Sequence, residues 1–177
     1  MRRPCLAVLA ALASAVLSAA PTQTEMDPRF APLRPLLGKT WRAVLSKSGS
    51  EKPAVDVQRW ERALNGQAVR ILHSINDGEY GGESIVIWDK ERQSLAFWYF
   101  TTAGFYTTGT VAVEDGALVT HELVKGDADG VTEVKAVHRV LPDGRLHVKT
   151  RFLKAGRWHE ARETHYVEDP KAEVRFK

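Results

Sequence analysis

Cysteine is all but missing: Cys5 stands alone, and it precedes an apolar run instead of following it. With that run removed the chain has no thiol, which excludes disulfides, thiolate zinc sites and cysteine nucleophiles. A lipoprotein cysteine follows its apolar stretch, so the position of Cys5 argues against a lipid anchor. A dominant charge is missing as well. Lys and Arg number 25 against 22 Asp and Glu, a net +3 that falls to about +1 without Arg2 and Arg3, and no block of like charge lies beyond them. Nucleic acid and anionic membrane surfaces are therefore not the expected partners. The chain also lacks a His-Glu-x-x-His or paired-histidine zinc spacing, a phosphate-cradling glycine loop and a Gly-x-Ser-x-Gly elbow. Ser74, Ser84 and Ser94 have no local partner pattern. No catalytic residue and no metal site are expected from motifs.

Long apolar runs are confined to the N-terminus. Arg2 and Arg3 precede an uncharged run over 6–17, and Ser18, Ala19 and Ala20 follow it. This is the layout of a secretory signal peptide, and the stretch 5–20 is shorter than the roughly 20 residues a spanning helix needs. The expectation is a signal over 1–20, export to the periplasm or medium, and no membrane insertion after cleavage; an uncleaved anchor is the plainer alternative. Pro21 disfavours a cut directly after Ala20, and the arginine pair fits Sec and twin-arginine export alike. An exported protein without disulfides is held by its core, for which the roughly 155 remaining residues suffice.

What is present is alternation. A lead-in and short helix are expected over 21–38: Asp27-Pro28 offers an N-cap with proline at the first helical position, and Phe30, Leu33, Leu36 and Leu37 recur at helical spacing until Gly38. From 39 to 169 apolar and polar residues then alternate with period two, leaving 170–177 as a C-terminal tail. Strands are predicted at 40–46, 54–64, 67–75, 83–88, 94–101, 105–114, 117–125, 132–141, 145–153 and 157–167. The expected fold is all-β: an up-and-down antiparallel barrel of about ten strands with a short N-terminal helix, closed so that no edge is exposed. The glycine-containing connection at 76–82 reads as a wide turn, or a lid with Tyr80 as contact residue.

Three later connections end in glycine, at Gly116, Gly144 and Gly156, and each reads as a three-residue hairpin loop with glycine in the left-handed position. Pairing Leu141 with Arg145 sets Val140, His138, Ala136 and Val134 opposite Leu146, Val148, Thr150 and Phe152. Directly opposed residues share a face; the apolar ones line up here, and Arg145, His147, Lys149 and Arg151 go to the solvated side. Carrying the same loop forward sets Phe152, Thr150, Val148 and Leu146 opposite Trp158, Glu160, Arg162 and Thr164. The inner wall then carries His138, Thr150, Glu160, Arg162 and Trp158.

Charges inside a barrel must pair, or meet water or ligand. One reading is an Arg162–Glu160 pair that merely closes an end, with His138 satisfied by a neighbour. The other is a polar anchor for a ligand's carboxylate or carbonyl, which an arginine fork suits. His73 alternates with Val69 and Ile71 and joins this set if it points inward; a satisfied core histidine is its plainer explanation. His159 and His165 stand roughly 20 Å apart at strand rise and cannot share an ion. In the run Phe97, Trp98, Tyr99 and Phe100, alternation gives Phe97 and Tyr99 one face and Trp98 and Phe100 the other. One pair fills the core. The other needs the helix as a second packing surface, or offers a homodimer contact.

The segment Pro32-Leu33-Arg34-Pro35-Leu36-Leu37-Gly38-Lys39-Thr40-Trp41 resembles the Leu-Leu-Gly-x-x-Trp entry of calycin-like (lipocalin- and nitrobindin-like) barrels. Trp60-Glu61-Arg62-Ala63-Leu64-Asn65-Gly66, Gly81-Gly82-Glu83 and Trp88-Asp89 extend the resemblance over nearly all of the chain past the leader. It implies a tryptophan packed across the barrel bottom beside the first strand. Nitrobindin-like haem binding would imply further glycines after that tryptophan and a proximal histidine near the C-terminus. Trp41 is followed by Arg42, Ala43 and Val44, and His165 falls on the outward face, so no cofactor is expected, with haem the lesser alternative. The function expected first is binding of a small, partly apolar ligand, an anionic one included, with His138, Arg162, Glu160, Thr150, His73, Trp158 and Tyr80 as candidate contacts. The second is an envelope structural or interaction protein with a filled barrel. The third is a cavity isomerase, with His138 or Glu160 as acid–base group, or a haem binder.

Overall fold

A computed structural model describes residues 25–45, 53–126 and 128–177, with all side chains there except those of Ala161 and Arg162. The expected signal over 1–20, the start of the lead-in and the strand end at Ser46 lie outside the described residues.

Ten antiparallel strands form one closed barrel in which each pairs with its neighbours in the chain and the last pairs with the first. They are β1 (Thr40–Leu45), β2 (Ala54–Ala63), β3 (Ala68–Ile75), β4 (Tyr80–Asp89), β5 (Ser94–Thr101), β6 (Tyr106–Glu114), β7 (Ala117–Lys125), β8 (Val131–Val140), β9 (Leu146–Lys154) and β10 (Arg157–Glu168). Residues two apart share a face of a strand, so Trp41, Ala43 and Leu45 of β1 are buried while Val44 between them is 55% exposed. Closure between β1 and β10 rests on the register pairs Trp41–Glu168 and Arg42–Val167.

The segment before β1 is a 3-10 helix over Pro28–Leu36 whose N-cap Asp27 accepts a hydrogen bond from the Arg29 amide. Pro32 and Pro35 inside it lack the N–H groups that an α-helical ladder needs, which favours the tighter, short form. Phe30, Leu33 and Leu36 join Trp41, Trp60, Leu146 and Tyr166 in one buried cluster, so the helix plugs one end of the barrel. Trp41 is fully buried and its Nε1 donates to the Leu36 carbonyl at 3.5 Å. Because the helix sits in the end, it does not cover the outer face of β5 as the alternation of that strand suggested. Phe97 is buried, whereas Phe100 is 53% exposed and stacks on Tyr106 with ring centroids 6.0 Å apart.

The β8–β9 register is the one read from hydrophobicity, with His138 opposite Val148 and Ala136 opposite Thr150. The Leu141 amide bonds the Arg145 carbonyl across a three-residue loop, and Gly144 has φ +83°. The other two glycine loops are shorter. Glu114 pairs with Ala117 and Lys154 with Arg157, leaving two-residue turns whose residues all have positive φ: Asp115 and Gly116, Ala155 and Gly156. That is the type I′ geometry, whose twist matches the strands it joins. On β10 the shorter turn slips the register by one, setting Trp158 opposite Leu153 and Glu160 opposite Arg151. A bulge between Glu160 and Arg162 absorbs the slip, after which Arg162, Thr164 and Tyr166 pair with Thr150, Val148 and Leu146. The expected opposition of Arg162 to Val148 is thus off by two residues, one from the shorter turn and one from the bulge, and Arg162 pairs with Thr150 instead.

The connection read as a wide turn or lid over 76–82 is shorter than that, because its last three residues are strand. A 3-10 turn occupies Asn76–Gly78, β4 starts at Tyr80, and Gly81 and Gly82 pair with Ser74 and His73. Beyond β10 the Asp169 amide bonds the Thr40 carbonyl, and the tail runs outside the barrel to β3, where the Arg175 amide bonds Ser74 Oγ at 3.2 Å. It covers Ser74 and Val57, which are 2% and 8% exposed. A Cβ on Gly81 would come within 3.1 Å of the Phe176 ring.

Candidate functional site

Between the helical plug and the far end lies a cavity of about 630 Å³, inside the roughly 300–1,000 Å³ range of small-molecule pockets. Leu33 bounds it at the plug, and Phe105, Ala128 and Asp129 from the connections after β5 and β7 line its other end. The walls are mainly apolar or aromatic, and among the described residues no lysine or arginine lines them.

Polar groups converge on the wall built by β2 to β7. The inward face of β2 carries Asp56 and Gln58 beside Trp60, whose Nε1 donates to Gln58 Oε1 at 2.7 Å. Asp56 is 3% exposed. Tyr166 on β10 donates its hydroxyl to Asp56 Oδ2 at 2.8 Å, and His73 Nε2 on β3 lies 2.9 Å from Oδ1. The second contact is close but off the hydrogen-bonding axis, since Oδ1 has no aligned donor; we take it as an electrostatic contact. The other ring nitrogen, Nδ1, faces the Tyr99 hydroxyl at 3.2 Å, and that hydroxyl stands 3.3 Å from the hydroxyl of Tyr80. Gly82 makes room for this cluster: a Cβ there would lie 2.6 Å from the Tyr99 ring. Tyr99 pairs in register with Thr107, and Thr107 Oγ1 donates to Glu122 Oε2 on β7 at 2.9 Å.

Burial sets the ionisation of these groups. It pushes the Glu122 carboxyl up from its usual range, against the Thr107 hydrogen bond and nearby His121 and His73. It raises the hydroxyls of Tyr99 and Tyr80 too, and each also feels the charges of Glu122 and Asp56. On β8, burial lowers His138 to about 4, and its Nδ1 has no hydrogen-bond partner. Glu122 and His138 retain some accessible surface, but both line the cavity. That surface opens inward, so burial from bulk water governs their protonation.

Of the residues singled out in the sequence, His138, Thr150, His73 and Tyr80 line the cavity. His73 and Tyr80 belong to the polar cluster, their rings 6.1 Å apart edge to face. Glu160 and Trp158 do not line it, because the two-residue turn before them reverses their faces. Glu160 lies on the outer side with Lys149 at 3.7 Å. Trp158 lies outside between Lys135 and Arg151, each 5.1 Å from its ring centroid. The backbone of Arg162 pairs with inward-facing Thr150, and its side chain lies outside what is described. The inference of an Arg162–Glu160 anchor therefore loses Glu160. Asp56, Tyr99, Glu122 and Tyr166 were not singled out. Asp56 and Glu122 left a signal, for each alternates with apolar partners: Asp56 between Ala54 and Trp60, Glu122 between Leu118 and Val124. His147 and His165 stack on the outer wall, 4.6 Å between centroids.

No protein-family model matches the chain, and a search of curated proteins finds no similar sequence.

Proposed function

We propose that this barrel binds a small, mostly apolar molecule inside its cavity, holding the molecule's polar group against Tyr80, Tyr99 and Glu122. The observation that carries this reading is the space itself: about 630 Å³ with apolar walls and polar groups gathered on one side. A filled interior would instead have favoured a purely structural or interaction role. The ten-stranded closed barrel with Trp41 packed beneath the helix accords with kinship to calycin-like barrels, which we include in this reading. We further propose that residues 1–20 are a secretory signal and that the barrel works after export.

Titration with N-phenylnaphthylamine, an apolar fluorophore, tests the cavity. Saturable one-to-one binding is expected. Ala136, whose small side chain lies on the cavity wall at 6% exposure, supplies the control: Ala136→Phe is expected to weaken binding at least tenfold while the circular dichroism stays that of the barrel. Binding that does not saturate, or that is indifferent to Ala136→Phe in a folded protein, would count against the reading.

A further inference from the structure

The cluster has a directionality that binding alone does not require. Two hydroxyls, those of Tyr80 and Tyr99, stand 3.3 Å apart, and Tyr99 donates to Tyr80, which leaves the single Tyr80 proton for an oxygen placed in the cavity. Tyr99 is held from behind by His73 Nδ1 at 3.2 Å, and His73 in turn lies against Asp56, itself gripped by Tyr166. Burial keeps both tyrosines protonated, so Tyr80, which accepts from Tyr99, acts as a donor toward the cavity. Glu122 lies in the same wall on β7, two strands from Tyr99, and accepts a hydrogen bond from Thr107, the register partner of Tyr99. Only Oε2 is engaged in that bond, which leaves Oε1 for a ligand. A carboxyl group and a hydroxyl donor backed by a second hydroxyl, lining one largely apolar cavity, are an arrangement suited to moving a proton on carbon.

We propose that this end of the cavity is an acid–base site for an enolisable ketone or enone with an apolar body, Glu122 serving as base and the Tyr80 hydroxyl, backed by Tyr99, as donor to the carbonyl oxygen. The proposal rests on the cavity-binding reading above. In the step, Glu122 as carboxylate takes a proton from the carbon next to the carbonyl. The C–H electron pair becomes the C=C bond of an enolate, and the C=O π pair moves to the oxygen held by Tyr80. Glu122 then returns the proton, to the same carbon or, in an enone, to the far end of the conjugated system. Nothing is oxidised or reduced, and no co-reactant is consumed. Glu122 and Tyr80 are the catalytic residues; Tyr99, which donates to Tyr80, is a positioning residue, with His73, Asp56 and Tyr166 behind it.

The test is deuterium incorporation into β-tetralone in heavy water, followed by mass spectrometry, with displacement of N-phenylnaphthylamine measured on the same samples. Exchange accelerated over buffer and saturating in ketone is expected. Glu122→Gln should lower it by about 10²–10⁴-fold, and Tyr80→Phe, which keeps the ring and removes one donor, by about 10²–10³-fold. The rate should rise with pH as Glu122 ionises, above the ordinary carboxylate value of 4.5, and Glu122→Gln should remove that rise. The titratable groups that act on Glu122 or feel its charge are His73, Tyr99 and Tyr80, with His121 beside it on its own strand. A ketone that displaces the fluorophore without exchanging overturns the acid–base proposal and leaves cavity binding standing. So does exchange that survives Glu122→Gln in a folded protein. A ketone that fails to displace a bound fluorophore overturns the proposal as well, whereas failure of the fluorophore itself to bind removes the cavity reading beneath it.

Discussion

His138 stands on β8 between Leu118 and Val148 in register, its Nδ1 unpartnered, and burial takes it from 6.5 down to about 4. Between those values the unfolded chain binds a proton that the folded barrel refuses. The associated stability is fully present above pH 6.5 and is lost as pH falls toward 4; a shift of this size corresponds to about 2–4 kcal/mol. Glu122 has the opposite sign. Its raised value lets the folded state hold a proton longer, so its contribution is present below pH 4.5 and declines as pH rises through the raised value. Urea unfolding of His138→Leu beside the parent protein separates the two. The parent should lose stability between pH 6.5 and 4 more steeply than the variant; parallel curves would show that His138 is not the titrating group.

At the scale of strands and turns, one loop decides which side chains reach the interior. The β8–β9 register was legible because its three-residue loop keeps like with like, apolar opposite apolar. The same glycine signal precedes β10, yet Lys154 pairs directly with Arg157 and the turn has two residues. Glycine marks a positive φ without counting the residues around it, so Gly144 and Gly156 look alike in sequence. Trp158 deepened the ambiguity, since an aromatic residue reads as core, while here Lys135 and Arg151 cover its outer-side ring. The bulge after Glu160 was not legible at all, for nothing in the sequence marks an extra residue. Deleting Ala161 should therefore remove only the extra residue, leaving Glu160 opposite Arg151 and Arg162 opposite Thr150, and the barrel should still fold. Deleting Glu163 instead, where the pairing is regular, should turn Thr164 and Tyr166 away from Val148 and Leu146 and unfold it. Circular dichroism and thermal melts of the two deletions check this; equal stability of the two would refute it.

For the molecule as a whole, the alternation that predicted ten strands also predicted closure, because every strand has one apolar face and no spare edge. The polar cluster was less legible because its members come from β2, β3, β4, β5, β6, β7 and β10, and only closure brings them together. Closure itself is thin: the described pairing of β1 with β10 is two rungs, Trp41–Glu168 and Arg42–Val167. The tail lies across the outside nearby, its Lys171 and Glu173 sharing a cleft with Arg42 of β1 and Val57 of β2. Removing residues 170–177 should uncover Val57 and Ser74 and cost about 1–2 kcal/mol. Hydrogen exchange should locate the loss, with β1 amides exchanging faster and those of β5 to β7 unchanged. Uniform acceleration, or none, would mean that the tail does not brace the seam.

That seam also orders events in time. Each other rung joins strands consecutive in the chain, so the meander can zip up hairpin by hairpin from local contacts. The rung between Trp41 and Glu168 joins residues 168 − 41 = 127 positions apart, and it cannot form until residues 167 and 168 have been synthesised. Until then the growing chain is an open sheet with two raw edges, the form in which strands recruit other molecules. A chain clipped just before Val167 would stay in that state, so the last turn of synthesis separates a sealed container from a sticky ribbon.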